Sequence, residues 1–302
     1  MRLIDHLRTL GLSGRDARAS LARGKVWYRD APTNDAAREV EPAHVRLRPS
    51  APNIVVGRDP AIVFRDDALV VVWKPAGLLS VPAAGRVRDK SLVGVVGQIL
   101  GQTLYAVHRL DELTSGLMMI ARAPQVQETM RVMFAAHEIE RRYLAIVRGV
   151  FPTKPTTIRS IMVRDRGDGL RGQAGEDVDA SDPTSKHAVT HFTLVEQLGS
   201  QLALVEAHLE TGRTHQVRIH LAEMGHPVLG DGLYGGQGAG RTMARYALHA
   251  YVLGFRHPVT AEQLRFESPL ADDLEKFLRA KRTGSQLTVG ARRGKGSRCQ
   301  RP

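Results

Sequence analysis

His108-Arg109-Leu110-Asp111-Glu112-Leu113-Thr114-Ser115-Gly116-Leu117 is the densest polar cluster of the chain. Asp111 follows a short apolar stretch and precedes Thr114-Ser115-Gly116, which opens onto the apolar run Leu117 to Ile120. That order puts a carboxylate in a turn between two elements, where reacting side chains are often displayed on a rigid scaffold. A turn aspartate is equally well accounted for as a solvated or capping residue, so spacing leaves both readings open.

Working outward from that turn, strand-like runs lie at Ile62 to Phe64, Leu69 to Trp73, Leu117 to Ile120, Tyr143 to Val147, His191 to Val195 and Leu202 to His208. Helical patterns stand between them at Ala123 to Ala136 and Gln216 to Met224. Strands and helices are interspersed without regular alternation and without a repeat. The expectation is an α+β domain over 61–280 with a mixed, mainly antiparallel sheet, rather than a doubly wound fold. Residues 164–185 are polar, rich in Gly and Asp, and read as an excursion loop. Pro49 to Pro60 reads as a linker, here bounded as 51–60. Residues 1–50 form a separate small module: Leu3, Leu7 and Leu10 at helical spacing, a second helix from Gly14 capped by Ser13, Gly24 as its stop, and strands near Val26 and Val45.

The chain has 302 residues, enough for one large domain with an appendage and a core needing no covalent staples. Its single cysteine, Cys299, forms no internal disulfide, which fits a reducing compartment and a cytoplasmic protein. Apolar runs such as Leu69 to Trp73 fall far short of the roughly 20 residues that span a bilayer. The opening stretch Met1 to Asp16 meets arginine and aspartate too early for a signal-peptide core, so membrane and secreted classes are not expected. The unusual quantity is a net charge of +12. Residues 1–50 carry 10 basic and 6 acidic side chains, residues 51–280 carry 26 and 25, and residues 281–302 carry 7 and none. The excess therefore sits at the two ends, and residues 281–302 read as a basic, disordered tail. A polyanion is the natural partner for such ends; a solubilising tail is the plain alternative.

A second polar cluster is Leu209-Glu210-Thr211-Gly212-Arg213-Thr214-His215-Gln216-Val217-Arg218-Ile219-His220. Gly212 permits a tight turn, Thr214 is placed to cap a helix starting near His215, and Arg213 projects from the loop, free to face a carboxylate. An arginine beside an aspartate favours the carboxylate form and orients it through paired hydrogen bonds. A helix N-terminus with exposed polar residues explains the same spacing. His215, His220 and His226 invite a metal reading, but no cysteine or carboxylate completes a ligand set, so no metal is expected. Gly236 to Gly240 lacks the Gly-Lys-Ser/Thr of a phosphate loop and reads as a flexible hairpin.

HRLDELTSGL resembles the signature of the large-subunit-type (RluA-like) pseudouridine synthases. Asp66 to Leu78 resembles that family's opening strand and Lys-Pro-x-Gly turn, and Arg141 to Gly149 its tyrosine strand. Leu209 to Gly235 resembles its arginine motif with the Gly-Asp-x-x-Tyr-Gly that follows, and Ala247 to Pro258 its late strand. These matches run in order over roughly residues 61–280. Leu12 to Val26 is similar to an S4-type RNA-binding domain, with Trp27-Tyr28-Arg29 in place of the usual Val-Asn-Gly. Other departures are Trp73 for asparagine, Arg142 for lysine, and Tyr246 where a smaller or polar residue precedes Ala-Leu-His-Ala.

The resemblance implies an RNA-modifying isomerase working without cofactor or metal. It implies Asp111 as the catalytic aspartate, Arg213 as its ion-pair partner, and Tyr143 as the aromatic that stacks on uracil. Arg109 is implied to fill the vacancy left by the extruded base, with His108, Thr114 and Lys74 also meeting substrate. In the S4-like module Arg15, Arg18, Arg23 and Lys25 line a face suited to phosphates. Ribosomal RNA of the large subunit is the first target, transfer RNA the alternative, and a monomer the default. Two rivals stand beside this reading: a non-catalytic RNA-binding or ribosome-assembly protein, and a nucleotide hydrolase or glycosidase, which needs a second flanking carboxylate that Glu112, adjacent in sequence, does not supply.

Overall fold

The computed structural model describes residues 1–22, 26–28, 31–32, 39–47, 60–82, 91–164, 170–173, 185–235, 243 and 245–290. Helices α1 (Leu3–Thr9) and α2 (Gly14–Ala22) precede a small antiparallel sheet of β1 (Val26–Tyr28), β2 (Ala31–Pro32) and β3 (Val45–Leu47), in the order β2-β1-β3. Leu3, Leu7, Ala17, Leu21, Val26 and Val45 close one core between helices and sheet. Ser13 caps α2 as its position suggests: its Oγ accepts from the Asp16 N–H at 3.1 Å and donates to the Asp16 carboxylate at 2.6 Å.

The large domain follows as β4 (Ala61–Arg65), β5 (Leu69–Lys74), α3 (Leu92–Leu100), β6 (Tyr105–Ala106), β7 (Ser115–Ala121), α4 (Pro124–Ala135), β8 (Glu140–Arg148), β9 (Thr156–Val163), β10 (Gly172–Gln173), β11 (Lys186–Leu198), β12 (Leu202–Leu209), α5 (Gln216–Glu223), β13 (Leu248–Arg256), β14 (Gln263–Glu267) and α6 (Asp272–Gly290). Its strands form one 11-stranded sheet in the order β10-β9-β11-β12-β8-β13-β7-β5-β4, with β14 paired to β13 and β6 to β7. Every pairing is antiparallel except β13 with β7, where His249 lies opposite Ser115 and Ala250 opposite Gly116. At that parallel junction Gly116 has φ +118, and a Cβ there would collide with the Ala250 carbonyl. Only glycine meets both demands. The α+β class with a mixed, mainly antiparallel sheet is thus the architecture observed.

The continuous apolar runs of β5 and β7 have a simple cause. Leu69, Val71, Leu117 and Met119 face α4, while Val70, Val72, Met118 and Ile120 face α3, so both surfaces of the sheet are covered. A third core, built from β8, β11, β12, α5 and α6, fills the other half of the sheet. Tyr143 packs against this core and the α3 core alike.

Some elements differ from the sequence reading. The glycine-broken stretch 92–100 is a helix, held by the Ser91 cap and by Gly101 in the left-handed conformation. The excursion after β9 carries the short strand β10, paired with β9. Residues 281–290 continue α6 instead of forming part of an irregular tail, and Arg282 pairs with Glu196 on β11 at 2.5 Å. Gly24, the linker residues 51–59, the Gly236–Gly240 stretch and residues 291–302 lie outside the described residues.

Candidate active site

The Asp111 turn is held from three sides. Its own closure is the hydrogen bond from the Thr114 N–H to the Asp111 carbonyl at 3.1 Å. Ser80 Oγ donates to the Leu110 carbonyl at 2.6 Å and accepts from the Leu110 N–H at 2.9 Å, while the Gly77 N–H donates to the Glu112 carbonyl at 2.9 Å. Lys74 Nζ donates to the carbonyls of Pro75, Leu78 and Glu112 at 2.7 to 2.9 Å, one acceptor for each ammonium proton. On the far side Arg245 donates to the Leu113 carbonyl and Ser115 Oγ, both at 3.2 Å, and is itself anchored on Asp273 at the start of α6. Lys74 is therefore not a substrate contact. It is fully buried, its donors are spent on backbone, and burial pulls its pKa down to about 7 against the opposing pull of Asp111.

The arginine facing Asp111 is Arg218, not Arg213. Arg218 Nη1 donates to Asp111 Oδ2 at 3.4 Å, and its Nε and Nη2 grip Asp231 at 2.7 and 2.9 Å. The guanidinium also lies 4.1 Å from the Tyr246 ring centroid and 5.0 Å from that of Tyr234. Burial opposes this charge, but the hydrogen bonds and charge of Asp231, with Tyr246 and Asp111 behind them, hold the Arg218 pKa above its ordinary value. Arg213 forms no ion pair with Asp111, and local hydrogen bonding explains why. Its N–H donates to Gln216 Oε1 at 2.9 Å and its Nε donates to the His187 carbonyl at 2.8 Å, which turns the side chain along β11. Gln216 is fully buried and joins Thr211, Arg213, Val189 and Thr190 in one knot. The helix cap also differs from expectation. His215, not Thr214, stands at the N-cap, in the left-handed conformation (φ 61) and with no side-chain cap bond. Its Nδ1 meets the Tyr234 hydroxyl at 2.9 Å and its Nε2 lies 3.9 Å from Asp111 Oδ1. Burial lowers the imidazole pKa, with Asp111 pulling the other way.

Asp111 opens onto a cavity of about 270 Å³ that Tyr143, His108, Arg109, Arg141, Arg213 and His215 also line. This volume lies just below the roughly 300–1,000 Å³ of drug-sized sites. Tyr143 projects from β8, and burial, with Asp111 nearby, pushes its phenol up to about 12, so it keeps its proton at neutral pH. His108 is a wall: its Nε2 accepts from the Met119 N–H at 3.0 Å, its ring rests against Phe134, and burial lowers its pKa to about 3. Arg109 is exposed at the rim. Thr114 lines the cavity from a buried position, its Oγ1 donating to the Tyr246 hydroxyl at 3.4 Å. Arg141, buried beneath Gly212, donates to the Glu210 carbonyl at 2.7 Å and adds a second cation to the wall. The three departures noted in the sequence have separate places. Tyr246 is part of the site, Trp73 packs against the α4-side core, and Arg142 pairs with Glu140 and Glu206 outside it.

Sequence reasoning missed Arg218, Asp231, His215 and Arg141 as site members. All but Arg141 fall in the Leu209–Gly235 motif, so the signal was present, but which side chain turns inward depends on contacts with β11 and the turn after α5. His220 and His226, which raise a metal reading in sequence, are placed apart from such use. His220 is buried between Ser160 and Thr190, and His226 bonds the Arg148 carbonyl. No cluster of three or more metal-ligating side chains occurs among the described residues. In the N-terminal module Arg15 and Arg18 are exposed; Arg23 and Lys25 lie outside the described residues. No helix among the described residues is long and apolar enough to cross a membrane.

Residues 68–223 match the protein family described as RNA pseudouridylate synthase. The ribosomal large subunit pseudouridine synthase D of Xanthomonas campestris pv. campestris is 36% identical over 246 residues, covering 74% of this chain and 70% of that protein. Its namesake from Neisseria meningitidis serogroup A is 35% identical over 277 residues, covering 85% and 72%. Among solved structures, human RNA Pseudouridylate Synthase Domain Containing 1 superposes with a TM-score of 0.59 at 24% identity, over 74% of this chain and 95% of that one, so the fold is shared.

Proposed function

The chain belongs to the RNA pseudouridylate synthase family, and from that premise we propose that it isomerises uridine in large-subunit ribosomal RNA, with Asp111 as the reacting carboxylate. The observation that carries this reading is the Asp111 carboxylate, 17% exposed, facing a cavity of about 270 Å³ lined by Tyr143 and Arg109 while Arg218 holds it from behind. Asp111 either adds to C1′ as the C1′–N1 bond breaks, or removes the C2′ proton so that the same bond breaks by elimination. Uracil turns in the cavity and a C1′–C5 bond forms, as the Asp111–C1′ bond breaks in the first route or as the proton returns to C2′ in the second. The C5 proton then leaves and N1 is protonated, so atoms and electrons balance without cofactor or metal. Tyr143 supplies a flat, protonated phenol to stack on the base. Arg109, exposed at the rim, fills the gap in the RNA, offsetting part of the few kcal/mol that extrusion costs.

The names of the Xanthomonas and Neisseria relatives support ribosomal RNA as the target. The two-helix, three-stranded N-terminal module, with Arg15 and Arg18 exposed on α2, supports an S4-like RNA-binding role for residues 1–50. The enzyme acts as a monomer in this reading, which light scattering tests; a dimer mass would overturn that part.

The test is to incubate the protein and Asp111→Ala with cellular RNA lacking its own modification, and to map pseudouridine. Formation by the wild type alone, in ribosomal RNA, is expected. Formation by both or by neither would sink the catalytic assignment, free uracil would indicate hydrolysis, and modification confined to transfer RNA would replace the target.

A further inference from the structure

Beside the Asp111 cavity lies a larger one, of about 430 Å³, sharing Gly212 and Arg213 with it. Among the described residues its lining includes Arg164, Arg171, Lys186 and Arg213 and no carboxylate. The sheet register creates this concentration of charge. Gly172 of β10 lies opposite Val163 of β9, which brings Arg171 beside Arg164, and Lys186 of β11 lies opposite Met162 of β9. Three adjacent strands thus deliver cations to one mouth, over a floor that includes buried Met162 and Ile219. Like charges on neighbouring strands repel, and a low-dielectric floor strengthens that repulsion. Among the described residues none of the four cations has a carboxylate partner. Arg213 has its Nε committed to the His187 carbonyl and lines both cavities. The Arg171 charge reaches as far as His215, itself beside Asp111.

We infer that this basic cavity binds a backbone phosphate of the substrate strand next to the extruded uridine, with Arg213 bridging phosphate and reaction site. The assignment rests on the RNA-modifying reading above and adds to it the interaction that sets where the strand lies. A phosphate brings a counter-charge that no described carboxylate supplies to the four cations, and forked guanidinium groups match its oxygens. Phosphate contacts of this kind fix register on the nucleic acid without reading its sequence.

The experiment compares wild type with Arg164→Gln, Arg171→Gln and the double variant on a substrate stem-loop, alongside Arg131→Gln on the exposed face of α4 as a control. Folding is checked by circular dichroism. The double variant should raise the half-saturating RNA concentration about tenfold and lower the single-turnover rate at saturation less than threefold. It should also flatten the slope of log affinity against log salt by about 0.7 for each phosphate that is no longer neutralised. Replacing RNA phosphates one at a time with neutral methylphosphonate should reveal one position that weakens wild type but not the double variant. Unchanged affinity and salt slope, or the lack of such a position, would overturn the cavity assignment while leaving pseudouridine formation intact. Absence of pseudouridine from every RNA tried would instead overturn the functional reading, and the salt slope of RNA binding would still report on the cavity.

Discussion

Arg218→Lys separates the two arginines of one motif. The Arg218 fork places Nε and Nη2 on Asp231, which is fully buried, and leaves Nη1 for Asp111 at 3.4 Å. A lysine presents one ammonium at the end of a flexible stem and cannot serve two carboxylates in this geometry. Asp231 also accepts from the Leu233 and Tyr234 N–H groups and is the more deeply buried partner, so the ammonium settles there and Asp111 loses its hold. A hydrogen bond between charged groups contributes about 1.5–3 kcal/mol, and the long 3.4 Å interaction belongs at the lower end. A loss of about 1.5–2 kcal/mol in the transition state is a roughly 10- to 30-fold slower chemical step. Release of tritium from C5-labelled uridine in RNA, under single-turnover conditions at saturating enzyme, measures that step directly. Arg213→Lys should act mainly on RNA affinity. A wild-type rate for Arg218→Lys together with a large rate loss for Arg213→Lys would refute the reasoning and return the ion-pair role to Arg213.

Three further outcomes are expected. Lys74→Met leaves the Pro75 and Leu78 carbonyls without a donor and Glu112 held by the Gly77 N–H alone, and should cost about 2 kcal/mol or more of stability, read by urea unfolding; a loss under about 1 kcal/mol would contradict the clamp. His220 and His249 are buried, with pKa values lowered by burial to about 4 and about 3. Unfolded histidine takes up its proton near pH 6.5, so between that pH and the lowered values the unfolded state binds more protons. Stability should therefore fall on acidification below pH 6.5, by up to about 2.7 kcal/mol per unit for the pair, and equal unfolding midpoints at pH 7 and pH 5 would exclude this. Because α6 runs to Gly290, the tail is best cut after that residue. Removing 291–302, which carries five basic side chains, should flatten the salt slope of RNA binding by up to about 3.5 while sparing the chemistry; equal slopes would make the tail a solubility device.

Much of the sheet was legible in the sequence because its central strands carry long, uninterrupted apolar runs, and β5 and β7 need them on both faces. Helix α3 was not legible: glycine and valine give 92–100 weak helical propensity, and burial of Leu92, Val93 and Val96 against the sheet overrides it. Asp111 was placed in a turn by residues within a few positions of itself, and that turn is what forms.

The sequence by itself determined the family, the order of the motifs, the carboxylate in its turn and the concentration of positive charge at the two ends. Each of these depends on residues close together in the chain. Only the tertiary structure decided which arginine meets Asp111, that Lys74 clamps backbone instead of substrate, and that three strands bring Arg164, Arg171 and Lys186 to one cavity. Those outcomes depend on partners far apart in sequence. Arg213 is drawn off by the His187 carbonyl 26 residues away, and Arg218 is held by Asp231 and set against Asp111 across more than 100 residues. Long side chains near a helix start have several directions open to them, and the hydrogen-bond partners waiting in the folded protein select one.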